Sequence, residues 1–321
     1  MEASQKLDLS QEITVVIITR DRADSITRVL AELRALPEKF PIIVIDNASK
    51  DGTARTIRAN FPEVQVIALR KNRGAIGRNI GVKEAKTPYI AFCDDDSWWG
   101  PSAMPRAIEY FKKYPKVAII AGEILVNKEE KLDPCCALLA KSPLPRRVAM
   151  PGPAILGFIG CGVFARKSAF EEVGGYNKWI SFSGEEKILA VELASRGWGL
   201  TYASDVVGYH YPYPYRKMVR RYQMGLRNRI WFAWLRRPVR SAIWASWQEV
   251  KMSLRRPMWS WGLIESLWKM PIILRHRKVV PSEVEEGLKM LEGRGRRTLR
   301  LKKSVSVGEL SVAVRKRGTV A

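Results

Sequence analysis

Residues 91–100 read AFCDDDSWWG, with Asp94, Asp95 and Asp96 standing between an apolar run and two tryptophans. Like charges this close repel, and burial would raise their pKa values unless a cation compensates them. A bound metal, a cluster of arginines or bulk water must therefore serve that place. A second acidic pair, Glu185 and Glu186, opens an apolar helical pattern later in the chain. One such carboxylate can act as a general base, although acids in a first helical turn also simply complement the helix dipole. His210, one of two histidines, is a candidate metal ligand or a plain strand-end residue.

The elements around these groups alternate between strand and helix. ITVVIIT (13–19) is a β-branched run of the kind buried on both faces of a parallel sheet. A helix follows over 23–36, then a strand over 41–49, and a helix that Asp51 or Thr53 would cap. A third strand (64–69), a third helix from Gly74 and a fourth strand (88–93) complete the series. Such alternation with short links predicts an α/β fold with a doubly wound sheet. Beyond residue 120, prolines and glycines crowd 133–162 and predict long loops around a mixed sheet portion. Residues 185–197 read as an amphipathic helix, and 198–211 as a returning strand.

Ligands of open α/β sheets bind at the carboxyl ends of the strands. Thr19, Arg20, Asp21 and Arg22 follow the first strand, and Asp46, Asn47 and Ser49 the second. Arg70, Lys71, Asn72 and Arg73 follow the third, and the aspartates the fourth. Four polar clusters on one sheet edge form a site. The turn TRDRADS lacks the glycines of a dinucleotide fingerprint, and no phosphate-loop motif occurs. Carboxylates with a divalent cation are then the natural holder of a nucleotide's phosphates.

The segments VVIITRDR, VIDNASKDGT, NRGAIGRNIGV, YIAFCDDDSWWGP and SGEEKILAVELASRGW occur in the order and spacing of the family-2 glycosyltransferases, which this chain resembles over about residues 12–212. The resemblance implies a GT-A fold, inverting transfer from a nucleotide-sugar donor (UDP-, GDP- or dTDP-linked), and Mg²⁺ or Mn²⁺ as cofactor. By position, it implies that Thr19 and Asp46 contact the nucleoside, and that Arg73, Gly74, Arg78 and Asn79 flank the ribose and phosphates. Asp21 and Asn47, on the same loops, join this donor-binding set. Asp94 and Asp96 match the outer residues of the D-x-D motif that holds ribose and metal–diphosphate, with Asp95 between them. Glu186 stands at the base position, where the family usually carries aspartate, so Glu185 stays open as the alternative. His210 matches a late histidine that reaches the metal or diphosphate in some members. On the acceptor side, Trp98, Trp99, Gly160 and Gly162 are candidates, the tryptophans by stacking on a sugar ring or else as core.

Charge divides the chain. Residues 1–215 carry a net +4 and residues 216–321 a net +19 of the total +23. The expected organisation is a catalytic domain over 1–215, with a donor half at about 12–120 and an acceptor half at about 121–215. A basic helical region over 216–292 and a disordered basic tail over 293–321 follow. Seven of the 11 tryptophans lie in 216–275. Tryptophan with arginine suits an anionic membrane interface, while the plainer alternative is a helical cap on the catalytic domain. No apolar run is long enough to span a bilayer, and the four cysteines show no pairing pattern. These features predict a cytoplasmic enzyme, peripheral on the inner membrane face, acting on a glycan or lipid-linked acceptor. The competing class is an inactive GT-A-like protein that binds a membrane surface or nucleic acid, with nucleic acid ranked last because no binding module is recognisable.

Overall fold

A computed structural model describes residues 6–180, 182–213, 218–254 and 260–293. The basic tail expected over 293–321 lies, beyond Gly293, outside these residues. The strands are β1 (Leu7–Asp8), β2 (Ile13–Thr19), β3 (Glu38–Lys39), β4 (Ile42–Asp46), β5 (Gln65–Ala68), β6 (Tyr89–Asp94), β7 (Ser97–Trp99), β8 (Val117–Val126), β9 (Lys131–Leu132), β10 (Val163–Arg166) and β11 (Gly199–His210). The helices of the first 200 residues are α1 (Ala23–Ala35), α2 (Thr53–Asn60), α3 (Ile76–Glu84), α4 (Ala103–Lys113), α5 (Pro134–Ala140), α6 (Lys167–Glu172) and α7 (Glu185–Ser195). They are followed by α8 (Met218–Arg236), α9 (Val239–Leu254), α10 (Ser260–Trp268), α11 (Met270–Arg275) and α12 (residues 282–293).

The main sheet has the order β5-β4-β2-β6-β10-β8-β11-β7, with β9 added beside β8. Its first four strands are parallel, and β10 and β7 run antiparallel to their neighbours, so the sheet is mixed as well as doubly wound. β2 is buried along nearly its whole length, as its β-branched sequence requires. Each such Val or Ile contributes about 1.5–3 kcal/mol of apolar burial. α3 lies close on the sheet because Gly81 leaves no side chain between the helix and Val16.

Register places the polar strand ends together. Thr19 pairs with Asp46, and Ile18 pairs with Asp94. From β2 the chain order runs to β4 and β5 on one side and to β6 on the other. The strand ends at that reversal are where a ligand crevice opens.

Two expectations are corrected. The loop-rich stretch 133–162 contains helix α5, started by Asp133 accepting the Cys135 N–H at 2.7 Å. α7 is not amphipathic: Leu189, Ala190 and Leu193 pack into the core around the sheet, whereas Ile188 and Val191 pack into a second cluster. That second cluster is built with Trp231, Phe232, Leu235, Ile273, Val284 and Leu288. The C-terminal helices therefore cover the outer side of α7, as the cap alternative expects for Trp231. Other tryptophans point the opposite way: Trp247, Trp261 and Trp268 are 53%, 54% and 85% exposed.

Candidate active site

Three strand ends form the floor. Thr19 ends β2 and donates its hydroxyl proton to Asp95 Oδ2 at 2.8 Å. Asp46 ends β4, buried, and its carboxylate accepts from the Ser49 N–H and hydroxyl. Asp94 ends β6, with its N–H donating to Ser97 Oγ at 2.8 Å. The loops above them are laced together. Asp21, at a left-handed φ of 52°, accepts the Lys50 N–H at 2.7 Å and donates its own N–H to Ser49 Oγ at 2.9 Å. Asn47 accepts the Arg73 N–H at 3.0 Å and donates to the Gly74 carbonyl at 3.3 Å. Gly74 is itself in the left-handed region, φ 58°. Asn47 thus shapes the 73–74 turn, and the Arg73 side chain is left exposed.

The aspartates separate into three environments. Asp94 is ion-paired with Arg78. Asp95 is pushed up to about 7 by burial and then by the negative charges of Asp96 and Asp94. Asp96 is buried too, but His210, with Nε2 3.4 Å from its Oδ1, and the Tyr213 N–H at 3.1 Å outweigh that burial. Its carboxyl is consequently held below the usual range. His210 is shifted up, since the Asp96 bond and charge exceed the cost of its own burial.

The residues fit a divalent cation in one particular sense. Asp95 is buried beside the negative charges of Asp96 and Asp94, and a cation placed there would relieve that repulsion. Among the described residues no three acidic, histidine or cysteine side chains converge on one point. Asp96 and His210 at most supply a pair, and a hard divalent ion usually completes its shell from substrate phosphates and water.

Arg78, 4% exposed, joins this cluster to the acidic pair. It is held by Asp94 and feels Tyr176, Glu185 and Glu186 as further stabilising neighbours. Glu185 is buried, with Oε2 lacking any partner, and burial raises its pKa. Glu186 is raised to about 8, first by burial and then by the charge of Glu185. A Cβ on Gly160 would lie 2.9 Å from Glu186 Oε1, so the glycine keeps open the space into which that carboxylate points. The turn entering α7 uses left-handed backbone at Ser183 and Gly184. Asn228 of α8, buried, donates to the carbonyls of Phe182 and Ser183, the latter at 3.0 Å. The C-terminal helices thereby fix where the acidic pair begins.

Several assigned residues are placed elsewhere. Arg78 is an ion-paired interior cation rather than one open to a donor. Asn79 donates to the Tyr176 carbonyl at 3.0 Å and accepts the Tyr176 N–H at 2.8 Å, so it anchors that loop. Trp99 is core, its ring 4.0 Å from that of Phe164 and 1% exposed. Trp98 is also buried, between Tyr209 and Tyr211. A Cβ on Gly162 would strike Ile124, which makes that glycine a packing requirement. Sequence reasoning missed Tyr176, whose buried hydroxyl has no partner and whose ring lies 5.4 Å from the Arg78 guanidinium. It also missed Asn228. The only sequence signal for Tyr176 is the Gly174–Gly175 turn before it, both glycines at positive φ.

The model of the family described as Glycosyl transferase family 2 matches residues 14–174. A pre-mycofactocin glycosyltransferase of Mycobacterium tuberculosis is 28% identical over 202 residues, covering 60% of this chain and 41% of that protein. The chain thus spans about two fifths of the length of that relative. Glycosyltransferase AglE of Haloferax volcanii is 22% identical over 222 residues, covering 65% of this chain and 70% of AglE. Among solved structures, mannosyltransferase PcManGT from Pyrobaculum calidifontis, in complex with GDP-Man and Mn²⁺, superposes with a TM-score of 0.55 at 16% identity. That superposition covers 93% of this chain and 81% of PcManGT. TarS 1-349 of S. aureus, in complex with UDP-GlcNAc, gives a TM-score of 0.55 at 14% identity, covering 89% of this chain and 92% of its own. These likenesses bear out the GT-A type of fold.

Proposed function

The chain belongs to glycosyl transferase family 2, and we propose that it transfers a sugar from a nucleotide-sugar donor to an acceptor hydroxyl with inversion, assisted by Mg²⁺ or Mn²⁺. The observation that supports this reading is Arg78, which is ion-paired with Asp94 and is close enough to Glu185 and Glu186 to feel their charges. The solved relatives described with GDP-Man and Mn²⁺ and with UDP-GlcNAc support the donor class. Thr19, Asp46 and the 73–74 turn would receive the nucleoside and ribose. Asp96 with His210, and the open oxygen of Asp94, would hold the metal–diphosphate; the ion supplies charge neutralisation for the departing nucleotide. Glu186 takes the acceptor proton in the space beside Gly160. Its raised pKa suits the task, because a base poised near the working pH is the most effective. Glu185, buried and without an opening of its own, keeps the charge of Glu186 high in energy and is a positioning residue.

The test is calorimetry with UDP-, GDP- and dTDP-sugars in the presence of Mn²⁺. One nucleotide class is expected to bind, EDTA to remove the binding, and Asp96→Asn to weaken it at least tenfold while the melting temperature holds. Metal-independent binding of equal affinity in Asp96→Asn would overturn the metal assignment.

The acceptor is proposed to be lipid-linked and met at an anionic membrane surface. No described helix is long and apolar enough to cross a membrane. On α9, Val239, Ile243 and Trp247 recur every four residues and are all exposed. On α10, Trp261, Ile264 and Trp268 form a second exposed stripe. Apolar stripes at helical spacing on a strongly basic region are the pattern of an interfacial surface. The intact protein should pellet with phosphatidylglycerol vesicles at low salt, with each cation at the surface contributing about 1 kcal/mol. Salt should weaken that attachment without abolishing it, since inserted tryptophan is not screened. Failure to pellet at low salt would remove the membrane reading.

A further inference from the structure

Beside the start of α7, on the side facing α8 and α9, lies a cavity of about 350 Å³. Gly184, Lys187, Phe232, Trp244 and Gln248 are among the residues lining it, together with Arg229 and Arg237. Each of these arginines is already neutralised. Arg229 is held by both oxygens of Glu249, at 2.6 and 2.7 Å. Arg237 is held by Glu285 at 3.0 and 2.9 Å and also by Glu292. Lys187 is different. Among the described residues it makes no ion pair with a carboxylate, and its ammonium lies 4.7 Å from the centre of the Phe232 ring. Glu292 is the strongest charge acting on it, and Arg237 and Arg229 repel it, while Glu292 and Glu249, which also line the cavity, are bonded to Arg237 and Arg229. Burial shifts the Lys187 pKa down, and the opposing pull of Glu292 does not make up for it.

An anion entering the cavity would give Lys187 the direct partner that Glu292 and Glu249, both bonded to arginines, do not provide. The 11-residue helix α7 opens at Gly184 on the same wall, and the two acids of its first turn, Glu185 and Glu186, do not line the cavity. The volume exceeds the need of a single tetrahedral anion and falls in the range of small-molecule sites. The surroundings also specify the rest of the ligand. Trp244, Ala245 and Gln248 of α9 face the cavity, and one step around the same helix Ile243 and Trp247 stand exposed. The cation is thus bordered by an apolar stripe, an arrangement that suits a phosphate attached to a hydrocarbon.

We propose that this cavity binds the phosphate group of an amphiphile, seated on Lys187, with the hydrocarbon running along the exposed face of α9. The reading deepens the proposed function, because an acceptor phosphate held here lies next to the acidic pair that starts α7. Its chemistry is shared by a lipid headgroup and by free phosphate, and the test separates them.

The full chain is titrated, following tryptophan fluorescence from Trp244 and its neighbours, with inorganic phosphate, with dodecyl phosphate below its micelle concentration, and with dodecyl maltoside as an uncharged amphiphile. Dodecyl phosphate should bind at least tenfold more tightly than either control, and Lys187→Met should lose that advantage while Lys187→Arg retains it. Equal affinity for inorganic and dodecyl phosphate, still dependent on Lys187, would support the anion site and discard the hydrocarbon arm. Unchanged dodecyl phosphate affinity in Lys187→Met would overturn the proposal. If Lys187→Met does not fold, the wild-type and Lys187→Arg titrations decide, and absence of any response to either phosphate overturns it. Nucleotide-sugar binding with Mn²⁺ is measured on the same variants. Its loss in all of them, wild type included, would be a failure of the transferase reading and not of the phosphate site.

Discussion

Replacing Glu186 by glutamine should leave nucleotide-sugar affinity near its native value and lower turnover by about a hundredfold or more, the range for losing a general base. The amide fills the space beside Gly160 as the carboxyl does, so the cleft keeps its shape and only the proton acceptor is gone. The pH dependence gives a second reading of the same group. Burial and the neighbouring charge of Glu185 raise the Glu186 pKa to about 8, so in the free chain the acid form prevails at neutral pH. A base works only when ionised. The ratio kcat/KM should therefore rise with pH through that pKa, and the rise should vanish in Glu186→Gln. Glu185→Gln removes the charge that raises its neighbour, and should move the rise to lower pH without abolishing activity. Should Glu185→Gln prove the inactive variant and Glu186→Gln the active one, the base assignment is displaced by one residue.

Arg78→Met is expected to cost about 3–5 kcal/mol of stability, the range for stripping one partner from a buried ion pair. Asp94 would lose its counter-charge, and Glu185 and Glu186 would lose the cation that offsets part of their burial. The sign with pH is fixed by Glu185 and Glu186. The deficit should be greatest above the raised pKa values of Glu185 and Glu186, where both are charged, and should shrink as acid protonates them. Whatever activity survives should have its pH rise displaced upward, since removing Arg78 raises the Glu186 pKa further. Urea midpoints at acid and alkaline pH test the first part. A variant as stable as the native chain at alkaline pH would mean that water, not Arg78, compensates the cluster.

Much of this was legible in the residues themselves. β2 and β6 are read correctly from their apolar runs because a strand covered on both faces has no other way to be soluble. Thr19, Asp46 and Asp94 are found at strand ends because a polar residue that terminates such a run can only lie where the sheet stops. The Asp94–Asp96 cluster declares itself through adjacent like charges, and the segment that holds it, with four companion segments, identifies the family by order and spacing. The position of the acidic pair at the first turn of α7 is likewise visible in the pattern that follows it.

Tertiary structure decided what each of these side chains faces. Arg78 and Asn79 are neighbours on α3, yet one points to Asp94 and the other pins Tyr176, a division of labour set by what packs on each side of a helix. Trp98 and Trp99 look alike in sequence, and both prove to be covered by aromatic partners from β10, β11 and the residues after it. α7 reads as amphipathic only while its second neighbour is unknown; helices encoded far downstream bury its outer face, and Asn228 among them fixes its entry turn. Spacing along one chain fixes periodicity, and so it reveals elements and their ends. Which cation neutralises which carboxylate depends on distances between segments that only the packed fold brings together, because charge interactions act through space and not along the sequence.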